Sequence, residues 1–389
     1  MTARRQGDAP ATVEPWGRPP HSDGGEVLLE RVTRKAESRA AVNLRGGGLR
    51  ALTVDGSNLV EPYPAGEQPP YCAGAVLFPW PNRVRDGRWS QRGIEHHLPI
   101  NEPELRNAAH GLVREVYFMV DAVRPSAVTI STAVPAQPGY PFAVGLSLTY
   151  QLTDNGLEVH NRVTNECDRP APVSLGTHPY LRVGDVPTDE LTVRVDADTY
   201  FPVDKQLIPT AERLVGGTAV DLSAGRRIAG AALNQCYGHV RIVNGRGRHR
   251  LEAADGRAVE LWTDESFGYV QVYVCPDFPR FDATGRPDRV GCAVAIEPMT
   301  APPDALNSGL GLRWLAPGET WETSWGIALL AKSDAARPLP SQDSVREPGD
   351  LMSAVVKHVR RGPVEPASGD TTLGASPPTV GITPTRFQC

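Results

Sequence analysis

Residues 292–309, CAVAIEPMTAPPDALNSG, place a carboxylate where it can do chemistry. The apolar run Cys292 to Ile296 has the pattern of a strand buried on both faces, and it stops at Glu297 with Pro298 next. Proline has no amide hydrogen and confines the residue before it to an extended backbone, so Glu297 is expected as the last strand residue, facing a cavity or the surface. Partial desolvation raises a carboxyl pKa toward working pH, which is what a general base needs. The plainer reading is a strand-end Glu paired with one of the chain's many arginines. A second stretch, VSLGTHPYLRVG at 173–184, ends a strand in a similar way on His178, between Thr177 and Pro179. A fixed backbone suits a general acid whose ring must not wander, and Tyr180 could stack on a ligand or donate its hydroxyl. The competing reading is a buried histidine bonded to a carbonyl.

Three further clusters carry polar groups. In LFPWPNRVRDGRW, 77–89, Trp80, Pro81 and Asn82 form a rigid, turn-like entry to Arg83. A guanidinium held beside aromatic residues suits a polyhydroxylated ligand, because its fork donates to several oxygens at once. Arg85 and Arg88 flank Asp86-Gly87, expected as the turn of a hairpin into Trp89, and read as a solvated, salt-bridged turn. In NAAHGLVRE, 107–115, His110 stands before Gly111 on what should be a tight backbone. The neighbouring pair His96-His97 cannot easily share a metal, since adjacent strand residues point to opposite faces, so no metal site is expected there. In AALNQCYGHV, 231–240, Asn234 enters an apolar strand with a carboxamide that both donates and accepts.

The elements that must position these groups read as strands. GLSLTYQL (145–152), LEVHNRVTN (157–165), LTVRVDA (191–197), HVRIV (239–243), AVELW (258–262) and YVQVYVC (269–275) alternate apolar and polar residues. Asp154-Asn155-Gly156 marks a hairpin between the first two. No stretch keeps a 3.6-residue period for three turns, and alternating strands need a second sheet to cover their apolar face. The expectation is one large all-β antiparallel sandwich over residues 26–333. Residues 1–25 and 334–389 are rich in Pro, Gly and charge and are expected to be disordered tails, with Leu351–Val359 forming at most a marginal helical turn or two. At 40% apolar content, 389 residues can build a substantial core, and a net charge of −5 gives no basic bias toward nucleic acid. No apolar run is long enough for a bilayer, and the two early arginines lack the apolar stretch of a secretory signal. Six scattered cysteines without CxxC spacing argue against a zinc site or a disulfide framework and fit a reducing cytoplasm.

Taken in order, NLRGGGLRALTVDG, FPWPNRVRDGRW, NAAHGLVRE, GYPFAVGLSLTYQLTDNGLEVHNRVTN, GTHPYLRVG, VQVYV and AIEPMTAPPDALNSG resemble the aldose 1-epimerase (galactose mutarotase) family across the whole folded unit. The resemblance implies a galactose mutarotase-like supersandwich with an open cleft for a monosaccharide, no metal or organic cofactor, and interconversion of the α and β anomers of an aldose. It assigns Glu297 as general base and His178 as general acid. Arg83 and His110 match sugar-contacting positions, with Asn82 beside the arginine, and Tyr180 and Gln271 look like further lining residues. Where many members carry an aspartate that holds sugar hydroxyls, this chain has Asn234, which keeps an acceptor oxygen but loses a charge-assisted bond roughly twice as strong as a neutral one.

Mutarotation needs a proton taken from the C1 hydroxyl and one delivered to the ring oxygen, with each group serving as acid and base in turn, so both pKa values are expected near neutrality. The leading reading is an active mutarotase of free hexoses such as glucose or galactose. A hexose-6-phosphate epimerase, with Arg85, Arg88 or Arg182 supplying phosphate contacts, and a non-catalytic sugar-binding or regulatory module are the alternatives. The expected partner is a monosaccharide rather than nucleic acid or membrane, with the chain a monomer or weak homodimer.

Overall fold

The computed structural model describes residues 25–332, position 283 excepted; both expected tails, with Leu351–Val359, lie outside that range. Val144–Thr153 buries every second residue from Val144 onward, and Gly156–Asn165 pairs with it antiparallel across the two-residue turn Asp154-Asn155. The hairpin lies within a nine-stranded antiparallel sheet. In spatial order its strands are Met119–Arg124, Ala127–Val134, Val144–Thr153, Gly156–Asn165, Thr320–Leu330, Ala258–Thr263, Gly247–Glu252, Thr192–Val195 and Arg226–Arg227. An eight-stranded antiparallel sheet is built around the long pair Tyr269–Phe281 and Pro287–Met299. It continues through Asn234–Val240, Ala197–Phe201 and Arg213–Leu214 on one side, and through Gly176–Thr177 and Val76–Leu77 on the other, with Tyr180–Leu181 also on Pro287–Met299. A four-stranded sheet of Glu26–Val32, Glu37–Asn43, Leu49–Val54 and Ser57–Asn58 precedes both. One apolar core joins all three: Leu52 from the first, Leu148, Val159 and Ile327 from the nine-stranded sheet, and Val272 and Ile296 from the eight-stranded sheet are all buried within it. The α-helix Ala305–Ser308 is one turn long. The architecture is the large all-β antiparallel sandwich expected from the period-two pattern.

Four local expectations are corrected. The strand expected at 191–197 is two, Thr192–Val195 and Ala197–Phe201, because the chain passes from one large sheet to the other at Asp196. The strand expected at 239–243 is instead Asn234–Val240. His239 turns the backbone left-handed (φ 50°), and residues 241–243 leave the sheet. Asp86-Gly87 does not close the hairpin into Trp89. Arg88–Gln91 pairs with Ile94–His97 across Arg92-Gly93, at φ 50° and 77°, while Asp86-Gly87 lies in the 3-10 turn Arg85–Gly87 that feeds the chain into it. Finally, Glu297 is not the last strand residue, since the strand runs to Met299. Met299 is paired with Tyr269 on one side and Gly176 on the other, so Pro298 removes one ladder donor without ending the strand.

Side-chain alternation on the eight-stranded sheet decides which residues can meet a ligand. Val294 and Ile296 enter the main core with Val270 and Val272. Ala293, Ala295 and Glu297 therefore face the other way, and Ala293 and Ala295 pack there against Tyr180, Cys275 and Phe278.

Candidate active site

The floor of the site is this second face. Gln271 lies directly opposite Glu297 on the neighbouring strand, and Cys236 lies directly opposite Gln271 on the next. Paired residues project to the same side, so Glu297, Gln271 and Cys236 form one row, with Asn234 beside them. Gln271 donates from Nε2 to Asn234 Oδ1 at 2.7 Å.

Loops bring in the other groups. Gly176–Thr177 ends immediately before His178, whose backbone is pinned in both directions: its amide donates to the Ala75 carbonyl at 3.0 Å, and its carbonyl accepts from the Gly74 amide at 2.8 Å. So held, His178 Nε2 lies 3.4 Å from Glu297 Oε1, with both side chains buried. Tyr180 stacks on the imidazole, ring centroids 5.3 Å apart, and its hydroxyl donates to the Tyr71 carbonyl at 3.4 Å. Tyr180 is thus a wall behind His178, with its hydroxyl directed to the protein. His110 occupies a left-handed backbone position (φ 63°) ahead of Gly111 (φ 72°), and its ring meets His178 edge-on at 5.5 Å. A side chain at residue 111 is impossible: its Cβ would stand 2.0 Å from the Phe78 carbonyl oxygen.

Asn82 and Arg83 follow the Phe78-Pro79 cis peptide. Asn82 Oδ1 accepts from the Arg83 backbone amide at 3.0 Å and from the guanidinium at 3.4 Å, and Asn82 Nδ2 donates to Gln271 Oε1 at 3.5 Å. Arginine only donates, so this network fixes the orientation of each carboxamide along the row Arg83, Asn82, Gln271, Asn234. The Arg83 guanidinium is held bidentately by Glu102, at 2.8 and 2.9 Å.

Burial governs the protonation states. It raises Glu297 to about 8, partly opposed by the Arg83 charge. His178 falls to about 3, again chiefly through burial, with Arg83 and Arg114 adding repulsion. His110 is pushed well below its ordinary range by burial, then by His178, Arg114 and Arg83. The pair Glu297–His178 therefore carries one proton at neutral pH, and it rests on the carboxyl. This differs from the expectation of two values near neutrality, because both groups are almost completely desolvated and desolvation moves acid and imidazole in opposite directions. Glu297 Oε2, His178 Nδ1 and His110 Nδ1 are buried with no hydrogen-bond partner among the described residues, an arrangement suited to a ligand rich in hydroxyls.

The structure brings Glu297, His178, Arg83, His110, Asn82, Tyr180, Gln271 and Asn234 to one region and takes other polar groups elsewhere. Arg85 binds Asp204 at 2.6 Å and Gln206 at 2.8 Å, Arg88 stands 3.9 Å from Glu95, and Arg182 binds Glu61 at 2.9 Å. His96 lies against Trp89, ring centroids 4.6 Å apart, while His97 pairs with Glu95 at 2.8 Å. Cys167, Cys236, Cys275 and Cys292 are free thiols. Among the described residues no group of three His, Cys, Asp or Glu could hold a metal ion, and no helix is long and apolar enough to cross a membrane. Three neighbours of the site were not singled out from the sequence. Glu102, Arg114 and Cys236 reach it through long-range folding, and the only available signal was Arg114's place four residues after His110.

Comparison with known proteins places the chain in a family. A family model for aldose 1-epimerase matches residues 30–327. The Escherichia coli K12 "Uncharacterized protein YihR" is 30% identical over 301 residues, spanning 77% of this chain and 91% of its own. Human galactose mutarotase is 31% identical over 214 residues, 51% of this chain and 61% of its own. Among solved structures, a GalM/aldose epimerase homologue from C. elegans superposes with a TM-score of 0.68 over 78% of this chain and 99% of its own, at 20% identity, a likeness of fold. With most of its length matched by the family and its fold shared with that homologue, the chain belongs to the aldose 1-epimerase family.

Proposed function

We propose that the chain is a mutarotase that interconverts the α and β anomers of a hexopyranose by acid–base ring opening and reclosure at Glu297 and His178. The observation that carries this reading is the 3.4 Å approach of His178 Nε2 to Glu297 Oε1 in a buried site. The two sugar oxygens that exchange protons, the C1 hydroxyl and the ring oxygen, are bonded to the same carbon. They lie closer together than a hydrogen bond is long, so an acid and a base this near one another can reach both.

The single proton of the pair is what the reaction requires. In the ion-pair form Glu297 takes the proton of the C1 hydroxyl, the bond from C1 to the ring oxygen breaks, and His178 delivers its proton to that oxygen. The aldehyde carbon turns, the hydroxyl adds to its other face, and both protons return, so nothing is consumed. Sugar hydroxyls donating to Glu297 replace the solvation that burial removed, which favours passing the resting proton to His178. Arg83, His110, Asn82, Gln271 and Asn234 hold the sugar, and Arg83 and His110 stabilise negative charge gathering on it. Each positioned proton transfer contributes about a hundred- to ten-thousand-fold.

A 6-phosphate specificity gains nothing from Arg85, Arg88 or Arg182, each of which faces an acidic residue of the protein. The test is polarimetry on freshly dissolved α-glucose and α-galactose. Faster decay of optical rotation with enzyme supports the reading. Binding without acceleration would place the chain among sugar-binding modules that kept the cleft.

A further inference from the structure

Among the described residues, Arg114 is the cation at this site without a carboxylate paired to it. Among the described residues its one hydrogen bond runs from the guanidinium to Cys72 Sγ, at 3.1 Å. Cys72 begins the turn whose Gly74 amide binds the His178 carbonyl, so Arg114 is anchored to the turn that pins His178, and its charge is felt by both His178 and His110. The carboxylates nearest to it are committed elsewhere: Glu102 holds Arg83 bidentately and Glu115 pairs with Arg45. Burial lowers the Arg114 pKa, while Glu115 and Glu102 raise it.

The remaining charges of the site cancel. Arg83 and Glu102 neutralise one another, the two histidines are neutral, and Glu297 is protonated at neutral pH. One positive charge is left. A partly desolvated cation with no carboxylate paired to it among the described residues is costly, and the cost is relieved by a ligand bringing one negative charge. The carboxamide row points the same way. Its fixed orientation uses Asn234 Oδ1 to accept from Gln271, so Asn234 offers the ligand a donor where an aspartate would offer a charged acceptor.

Resting on the mutarotase reading, we propose that the preferred substrate is a monoanionic sugar, a hexuronate whose C6 carboxylate is received by Arg114. Position follows from the chemistry: C6 hangs on C5, which is bonded to the ring oxygen, and the ring oxygen is the atom His178 protonates. A cation anchored to the turn that pins His178 is therefore on the side where C6 lies. The charge also follows, since a phosphate dianion would meet one uncompensated guanidinium and leave an excess negative charge in a buried site. A planar carboxylate matches the guanidinium fork.

The test compares anomerisation of glucuronate and galacturonate with glucose, galactose and glucose 6-phosphate, by exchange NMR at neutral pH. Wild type is expected to turn over a hexuronate with kcat/KM at least about tenfold above the matching neutral hexose, mainly through KM. Arg114→Gln should lower that ratio by about tenfold or more, and Arg114→Lys should keep part of it. Neutral hexoses used as well as hexuronates, a stronger preference for the 6-phosphate, or equal losses on both substrates in Arg114→Gln would each overturn the inference while leaving the mutarotase reading in place. If no sugar is accelerated, the reading falls and the inference falls with it.

Discussion

His178 Nε2 rests 3.4 Å from Glu297 Oε1, an imidazole carried by a strap after a two-residue strand meeting a carboxyl on the floor of the eight-stranded sheet. The two are buried together, so neither can change charge without the other responding, and they hold one proton between them across neutral pH.

Glu102 orients Arg83 with two charge-assisted bonds and touches none of the proposed reacting groups. Glu102→Gln loses one of them and weakens the hold on the Arg83 guanidinium. KM for the sugar should rise by about tenfold, with kcat changed less, and steady-state kinetics separate the two. Arg83→Lys, which cannot make the bidentate contact, should show the same split.

Asn234→Asp restores a charged acceptor at the end of the carboxamide row and retains an oxygen for Gln271 Nε2. The change offsets the one uncompensated positive charge of the site. It should shift selectivity toward neutral hexoses, read as a fall in the ratio of hexuronate to hexose kcat/KM.

Stability should peak between the acid and alkaline limbs set by four buried groups. Glu297 has its folded pKa raised from 4.5 to about 8, so its contribution is fully present below 4.5 and lost as pH rises through about 8. His178 and His249 are lowered from 6.5 to about 3 and His110 moves the same way, so their contributions are present above 6.5 and lost as pH falls. Between 4.5 and 6.5 the unfolded chain binds more protons on these histidines than the folded chain holds on Glu297, and stability rises with pH; above that range the Glu297 contribution dominates, and stability falls. Melting temperature across pH should pass through a maximum near 6.5, and a monotonic rise to pH 9 would contradict the assignment.

His249 supplies a second handle on that acid limb. It is fully buried on Gly247–Glu252, with neither ring nitrogen hydrogen-bonded among the described residues. His249→Leu removes two unsatisfied polar atoms and should stabilise the fold by about 1 kcal/mol or more at neutral pH, and by more below it. Thermal melts of the two proteins at pH 5 and 7 measure both effects.

Much of this was legible in the sequence because strand alternation has a period of two. The pattern at 145–165 marked both strands and their turn, and the alternation in YVQVYVC matches Val270 and Val272 in the core with Gln271 on the other face. Glu297 and His178 stood out because each meets a proline, although Pro298 proved unable to end a strand paired on both sides. Proximity was not legible. Nothing local tells that Gln271 lies opposite Glu297 or that Glu102 grips Arg83, since register between distant strands is set by the whole core. Nor was the protonation state, because the burial of both members of the acid–base pair arises only in the folded chain. Arg114 escaped notice because what distinguishes it, the lack of a paired carboxylate among the described residues, is a property of the folded molecule alone.

The most direct test of the central claim is anomer exchange measured by NMR for wild type, Glu297→Gln, His178→Asn and the double variant, all shown folded by their melting curves. If the carboxyl and the imidazole act as one proton-sharing unit, each single change should cost at least about a hundredfold in kcat and the double variant should be no slower than the worse single one. Losses that multiply in the double variant, or a Glu297→Gln protein that exchanges anomers at the wild-type rate, would contradict it.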